Sequence, residues 1–171
     1  MSVSEKKIQE VADKQDIYDL MVRYSRGVDR CDLETLKSVY WQDATDDHGT
    51  FNGNAWEFAD YLIPALSGMD QTMHFIGNVC IDLIDENNAK AETYVFAYHY
   101  IQGEETHNDM IVGGRYIDDL EKRSDEWRIK HRLYVMDWNQ NSASTAEWNE
   151  GIYGQLKTRG MKFPKDPFYS K

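Results

Sequence analysis

Cysteine is nearly absent from this chain. Its 171 residues include two, Cys31 and Cys80. That is too few for a disulfide framework and reads as free thiols in a reducing compartment. Proline is almost as scarce, with three, and only Pro64 falls inside a helical pattern, where it should kink or fray the helix. No apolar run approaches the ~20 residues that cross a bilayer. The stretch from Met1 to Lys7 has no apolar segment of secretory type. A soluble, cytoplasmic protein with no membrane partner is the expectation. Positive charge is also short: 19 Lys and Arg against 30 Asp and Glu give a net charge of −11. Such a surface repels phosphate backbones and anionic lipid, which removes nucleic acid from the expected partners. No Gly-x-Gly-x-x-Gly follows a strand pattern, and there is neither a Walker loop nor a Gly-x-Ser-x-Gly elbow. Nucleotide chemistry and nucleophilic serine chemistry are disfavoured accordingly. Asp46-Asp47-His48 invites a metal reading, but no companion ligands stand at metal spacing. Neither a metal nor an organic cofactor is expected.

What is present is an ordinary globular composition, 41% hydrophobic, with 13% aromatic residues available to line a pocket. The length suits one domain over residues 1–171. Ile8, Val11, Ile17, Leu20, Met21, Tyr24 and Val28 recur at helical spacing, predicting a helix over about 4–28 with one apolar face. Gly27 weakens its last turn and Asp29 follows where it should stop. Asp32 reads as the N-cap of a short second helix. Residues 44–51 read as a polar strand ending at an Asn52-Gly53 turn. Asn54 then caps a third helix through Leu66. From Thr72 the period changes to alternation. Strands are predicted over 72–85, 89–102, 108–122 and 127–138, joined by polar turns, with Gly113-Gly114 marking a bulge or a close approach. Beyond Asn139 the pattern weakens; a last short helix from Ser144 or Thr145 to about Lys157 precedes an extended tail. Phe163, Phe168 and Tyr169 are too apolar for a free tail, so residues 139–171 are expected to cover a pocket or a subunit interface. Helices followed by consecutive hairpin-linked strands predict an α+β fold with helices on one face of a mostly antiparallel sheet. A strongly curved sheet of this kind makes a cone-shaped barrel with an open end, a natural apolar pocket.

Met73-His74-Phe75-Ile76-Gly77-Asn78 is the stretch that carries chemistry. A histidine on an apolar strand suits a general base, because its ordinary pKa lies near operating pH. A carboxylate on its other nitrogen would fix the tautomer and stabilise the imidazolium. Asp29, at the end of the first helix, is the candidate partner. Each residue has a structural reading as well: Asp29 can cap a helix or hold Arg26 or Arg30, and His74 and Tyr24 can be core. His99 lies on the face of its strand that also carries Val95 and Ala97. Asn78 shares strand parity with His74. His99, Asn78 and Trp41 are the candidate substrate contacts.

The order Tyr24-x-x-x-x-Asp29, Met73-His74-Phe75-Ile76-Gly77-Asn78, Ile111-Val112-Gly113-Gly114-Arg115-Tyr116, Trp127-Arg128-Ile129 resembles the SnoaL-like branch of the nuclear-transport-factor-2-like superfamily. Its likeness runs to scytalone dehydratases, hexachlorocyclohexane dehydrochlorinases and bile acid dehydratases, over about residues 14–138. The resemblance implies a cone-shaped α+β barrel and a homotrimer or homodimer. It also implies a cofactor-free His-Asp dyad that eliminates HX from a small hydrophobic cyclic molecule. The dyad maps onto His74 and Asp29, the tyrosine serving the site onto Tyr24, and a second histidine onto His99. A ketosteroid-isomerase-like proton shuttle, or a non-catalytic ligand-binding or assembly subunit of the same fold, are the alternatives.

Overall fold

A computed structural model describes residues 3–170. Met1, Ser2 and Lys171, the ends of the expected domain, lie outside the described residues. The first helix, α1 (Val3–Arg30), is followed by α2 (Leu33–Ser38), β1 (Tyr40–Asp47), β2 (Asn52–Asn54) and α3 (Ala55–Ser67). Four long strands follow: β3 (Gln71–Leu83), β4 (Asn88–Gln102), β5 (His107–Arg123) and β6 (Glu126–Ala143). The six strands form one curved sheet in the order β2-β1-β6-β5-β4-β3. Strands β3 to β6 are an antiparallel meander, and β1 joins β6 in parallel. Helix α1 packs on both β3 and β6, and α3 lies against β1. The expected α+β cone is the observed fold.

The apolar stripe of α1 works only over its second half. Ile17, Leu20, Met21, Tyr24 and Val28 are buried, whereas Ile8 and Val11 are exposed. At 1.5 Å per residue the helix is about 42 Å long, and residues 3–12 are exposed. The buried part begins at Asp13, which accepts hydrogen bonds from Trp127 Nε1 and Lys122 Nζ, both at 2.9 Å. Gly27 permits a close crossing: a Cβ there would meet the Leu36 backbone nitrogen at 3.0 Å. The helix continues through it to Arg30, and Cys31, at φ 51°, reverses the chain. Asp32 caps α2 by accepting the Thr35 N–H at 3.1 Å. Asn54 caps α3 through the Trp56 and Glu57 amides. Pro64 neither ends nor frays α3, which runs on to Ser67.

Three expectations need correcting. Strand β1 begins at Tyr40 rather than Ala44, because Tyr40, Ala44 and Asp46 form its buried face. Its turn lies at residues 48–51, with Gly49 at φ 75°, and Asn52-Gly53 belongs to β2, paired back on β1. No α-helix forms over residues 144–157; a single 3₁₀ turn, Tyr153–Gln155, stands there. Two glycines explain this. Gly151 adopts φ 54°, and a Cβ on Gly154 would strike the Asn149 carbonyl at 2.3 Å. The residues before them extend β6 to Ala143, opposite Asn108. His107 opens β5, stacked on Tyr100 at 4.3 Å with Nε2 2.8 Å from Asp70.

One end of the cone is solid. Ala89, Ala91, Leu120, Trp127 and Ile129 fill it. Above them sits an ion pair with no solvent exposure: Arg132 donates through Nε and Nη2 to the two Asp118 oxygens, each at 2.7 Å. Its guanidinium lies between the rings of Tyr24 and Tyr116, at 4.0 and 4.2 Å. Removing one member of such a pair strands the other charge in a low-dielectric interior, at a cost of about 3–5 kcal/mol. Asp118→Ala is therefore expected to lower the urea unfolding free energy by about 3–5 kcal/mol. The double substitution Asp118→Leu with Arg132→Met should recover most of that loss. A single-variant cost under ~1 kcal/mol would contradict the buried charge pair.

Candidate active site

The other end of the cone is open. On the inner face of β3, Thr72, His74 and Ile76 follow one another, and the register sets Ala97 and Val112 level with His74. These neighbours are small, and Ile76, Met110 and Val112 are only partly buried. At the solid end the inward positions are fully enclosed. This end of the barrel is therefore less tightly closed around His74 than the other.

Asp29, on the last turn of α1, meets His74 there. The His74 backbone N–H donates to Asp29 Oδ1 at 3.0 Å and Oδ2 at 2.9 Å, and His74 Nδ1 lies 2.7 Å from Oδ1. An ionised carboxylate only accepts, so Nδ1 carries the proton and Nε2 keeps its lone pair. Thr72 Oγ1 adds a hydrogen bond to the Asp29 backbone carbonyl at 3.4 Å. Both side chains are about nine-tenths buried.

His99 completes the cluster. It projects inward from β4 opposite Thr72, and its ring stands edge-on to His74 with centroids 5.4 Å apart. Its Nδ1 lies 3.3 Å from the Met110 carbonyl, which accepts, so Nε2 is again the free acceptor. Burial, then the neighbouring His74, pushes His99 down to about 4, against the opposing bond to Met110. It is a neutral imidazole at physiological pH.

The remaining candidates lie elsewhere. Tyr24 is five residues before Asp29 and on another face of α1, packed edge-on against Tyr40 and Tyr116 and over Arg132. Burial pushes its hydroxyl pKa well up, so it stays neutral. Asn78 does not keep the parity of His74. It is a bulge residue at φ 50°, unpaired between Gly77 and Val79, and its side chain is exposed. The Gly-Asn pair inside a strand was the available sign of that bulge. Trp41 donates its indole N–H to the Glu121 carbonyl and is flanked by Arg123 and Arg128. Glu121 is about nine residues along β5 from Val112, roughly 30 Å, so Trp41 is remote from His74. Arg132 was missed because a bulge between Asp119 and Leu120 shifts the alternation of β6 against β5.

The carboxy-terminal segment borders the outer side of the site. Residues 160–163 and Lys165, with Asp29, Thr72 and Met69, wall a cavity of about 480 Å³. The Phe163 N–H bonds the Arg30 carbonyl at 2.7 Å, and Lys162 donates to the Leu66, Ser67 and Met69 carbonyls at the end of α3. A larger cavity, of about 590 Å³, lies at the opposite end, between the start of α1 and the β3–β4 turn, and holds no histidine.

His99 makes stability depend on pH. Its folded pKa lies below its unfolded one, so between about 4 and 6.5 the unfolded chain binds the proton more tightly. The stabilisation is whole above pH 6.5 and is lost as the pH falls toward 4, by up to about 3 kcal/mol. Urea unfolding at pH 7.5 and 4.5 should show this loss in the unaltered protein and a shallower one in His99→Gln. Equal slopes for the two proteins would rule out His99 as the source.

The SnoaL-like domain pattern matches residues 9–133. A hexachlorocyclohexane dehydrochlorinase of type 2 superposes with a TM-score of 0.75 at 21% identity, covering 85% of this chain and 99% of that one. A scytalone dehydratase-like protein of Novosphingobium aromaticivorans does so at 0.70 and 21%, covering 82% and 93%. At that identity these likenesses establish the fold. The terrestric acid biosynthesis cluster protein E of Penicillium crustosum is 27% identical over 139 residues, 76% of this chain and 86% of that protein. With the pattern spanning most of its length and the cone in place, this chain belongs to the SnoaL-like domain family.

Proposed function

We propose that this protein is a cofactor-independent lyase that eliminates water or HX from a small, hydrophobic, cyclic molecule, with His74 as base. The observation that carries this reading is the Asp29–His74 contact: a carboxylate at 2.7 Å from Nδ1, which leaves the lone pair on Nε2. His74 Nε2 takes a proton next to an activating group, and Asp29 stabilises the imidazolium that forms. Such base catalysis contributes about 10²–10⁴-fold. Neutral His99, with Nε2 free, accepts a hydrogen bond from a substrate hydroxyl. Neighbours named for dehydrochlorination and dehydration agree with an elimination, and the Penicillium relative's name agrees with small-molecule biosynthesis.

The isomerase reading needs a free carboxylate as base. Both Asp29 oxygens already accept N–H groups from His74, which favours the histidine. The carboxy-terminal segment walls a cavity beside Asp29 and is assigned as a cover of the site. Assembly as a homotrimer or homodimer is supported by the outer sheet face, where Met73, Phe75, Phe96, Met136 and Trp138 are all exposed.

A panel of cyclic β-hydroxy and β-halo ketones, followed by mass spectrometry, tests the reading. His74→Ala and Asp29→Asn should each lower kcat/KM by about 10²-fold or more with the far-ultraviolet spectrum unchanged. Full activity in either variant sinks the dyad. Solvent deuterium uptake without mass loss would move the assignment to the isomerase.

A further inference from the structure

Asp166 is a buried acid six residues from the end of the chain, with 5% of its surface exposed. A carboxylate is rarely enclosed unless it is paired or hydrogen-bonded. Its Oδ1 accepts the Phe168 N–H at 3.0 Å, and its Oδ2 accepts the Met161 N–H at 2.9 Å. The bonds from Met161 and then Phe168 hold the carboxyl below the usual carboxylate range, so it is ionised at neutral pH. The Lys165 and Asp166 N–H groups both donate to the Lys162 carbonyl, at 2.9 and 3.2 Å. One side chain thus gathers residues 161–168 into a hook.

The hook is fastened to the end of α1 on both sides of Asp29. Arg30 Nε lies 3.4 Å from Asp166 Oδ2. The Phe163 N–H donates to the Arg30 carbonyl at 2.7 Å. A helix leaves its last carbonyls without donors of its own, and the hook supplies one. The Tyr169 hydroxyl donates to Asp32 Oδ2 at 3.1 Å, and the Arg26 guanidinium lies over the Phe168 ring at 4.8 Å. Residues 26, 30 and 32 are therefore all held by the tail, and Asp29 falls among them.

The same segment is tied to the start of β3. Lys162 Nζ donates to the Leu66, Ser67 and Met69 carbonyls, where α3 ends and leads into the strand. Gln71 Nε2, on the first residue of β3, donates to the Gly160 carbonyl at 3.4 Å. His74 follows three residues later. The dyad joins the last turn of α1 to β3, and the hook joins the same two elements a few residues away.

Asp29 depends on that outer frame because it is not packed in on every side. It borders the cavity of about 480 Å³ that lies between the tail and β3. The 2.7 Å contact to His74 Nδ1 must stay within hydrogen-bond reach for the carboxylate to dictate the tautomer. A misplacement of about 1 Å in a catalytic constellation costs about 10²-fold in rate. Arg30, next in sequence to Asp29, is held at its backbone carbonyl by Phe163 and at its guanidinium by Asp166.

We propose that Asp166 is a positioning residue: through Arg30 and the hook it sets the Asp29 carboxylate against His74 Nδ1. It acts on the dyad from a distance, not by contact with the reacting atoms. Its effect on turnover rests on the reading of His74 as base. Its effect on the imidazole tautomer does not, so the two are measured separately.

The full chain is tested by long-range ¹H–¹⁵N correlation at His74 and by turnover of 3-hydroxycyclohexanone. Asp166→Ala is expected to replace the single Nδ1–H form with a mixture of tautomers. It should lower kcat/KM about 10–10²-fold, with the loss in kcat and KM within about threefold of its original value. Added to Asp29→Asn, it should cost less than about twofold more, because changes that act through one group are not additive. Arg30→Met, at a partly exposed position, breaks the same link from the other side; it should give the same mixture and replaces Asp166→Ala if that variant does not fold. An unchanged tautomer overturns the proposal whatever the rate, and so does full additivity with Asp29→Asn. A mixed tautomer with unchanged kcat/KM supports the positioning role and removes His74 as the base. If the unaltered protein does not turn over the probe, the tautomer alone decides.

Discussion

The contact of the Asp29 carboxylate with the peptide nitrogen and Nδ1 of His74 is the constraint around which the open end of the cone is built. It joins the last turn of α1 to an edge strand, two elements far apart in sequence. A single carboxylate satisfies the peptide N–H and the ring N–H of one residue. The side chain is thereby fixed relative to its own backbone, not only relative to the helix. Fixing the tautomer matters more than the energy of any one bond, because it decides which ring nitrogen keeps a lone pair. The close crossing at Gly27 and the reversal at Cys31 set where Asp29 falls.

The interior is layered by polarity. Apolar side chains close the narrow end, a neutralised Arg132–Asp118 pair with its tyrosines forms the floor, and histidines line the space above. Each buried charge on the floor has a partner, which spares the fold the cost of an isolated ion. Two of the buried polar atoms without a hydrogen-bond partner among the described residues, Thr93 Oγ1 and Arg132 Nη1, lie in this interior.

Much of this was legible in the sequence. Local chemistry marked the helix caps at Asp32 and Asn54 and the change of period near Thr72, and all three hold. Alternation placed Val95, Ala97 and His99 together on the inner face. The pairing of Asp29 with His74 came from the order of motifs, since no local rule joins residues 45 apart. Alternation failed where the strands bulge. Asn78 turned outward and Arg132 turned inward for that reason. Trp41 was misplaced because its strand begins earlier than its polar stretch suggested. His48 was visible beside two aspartates, but the aromatic sandwich around it exists only in the folded chain.

The most direct measurement is the tautomeric state of His74 by long-range ¹H–¹⁵N correlation at neutral pH, assigned with His74→Gln. The account predicts a protonated Nδ1 and an unprotonated Nε2, with that preference lost in Asp29→Asn. A proton on Nε2, or a mixture unaffected by Asp29→Asn, would contradict it, because the nitrogen not held by Asp29 would then have no lone pair with which to act as a base.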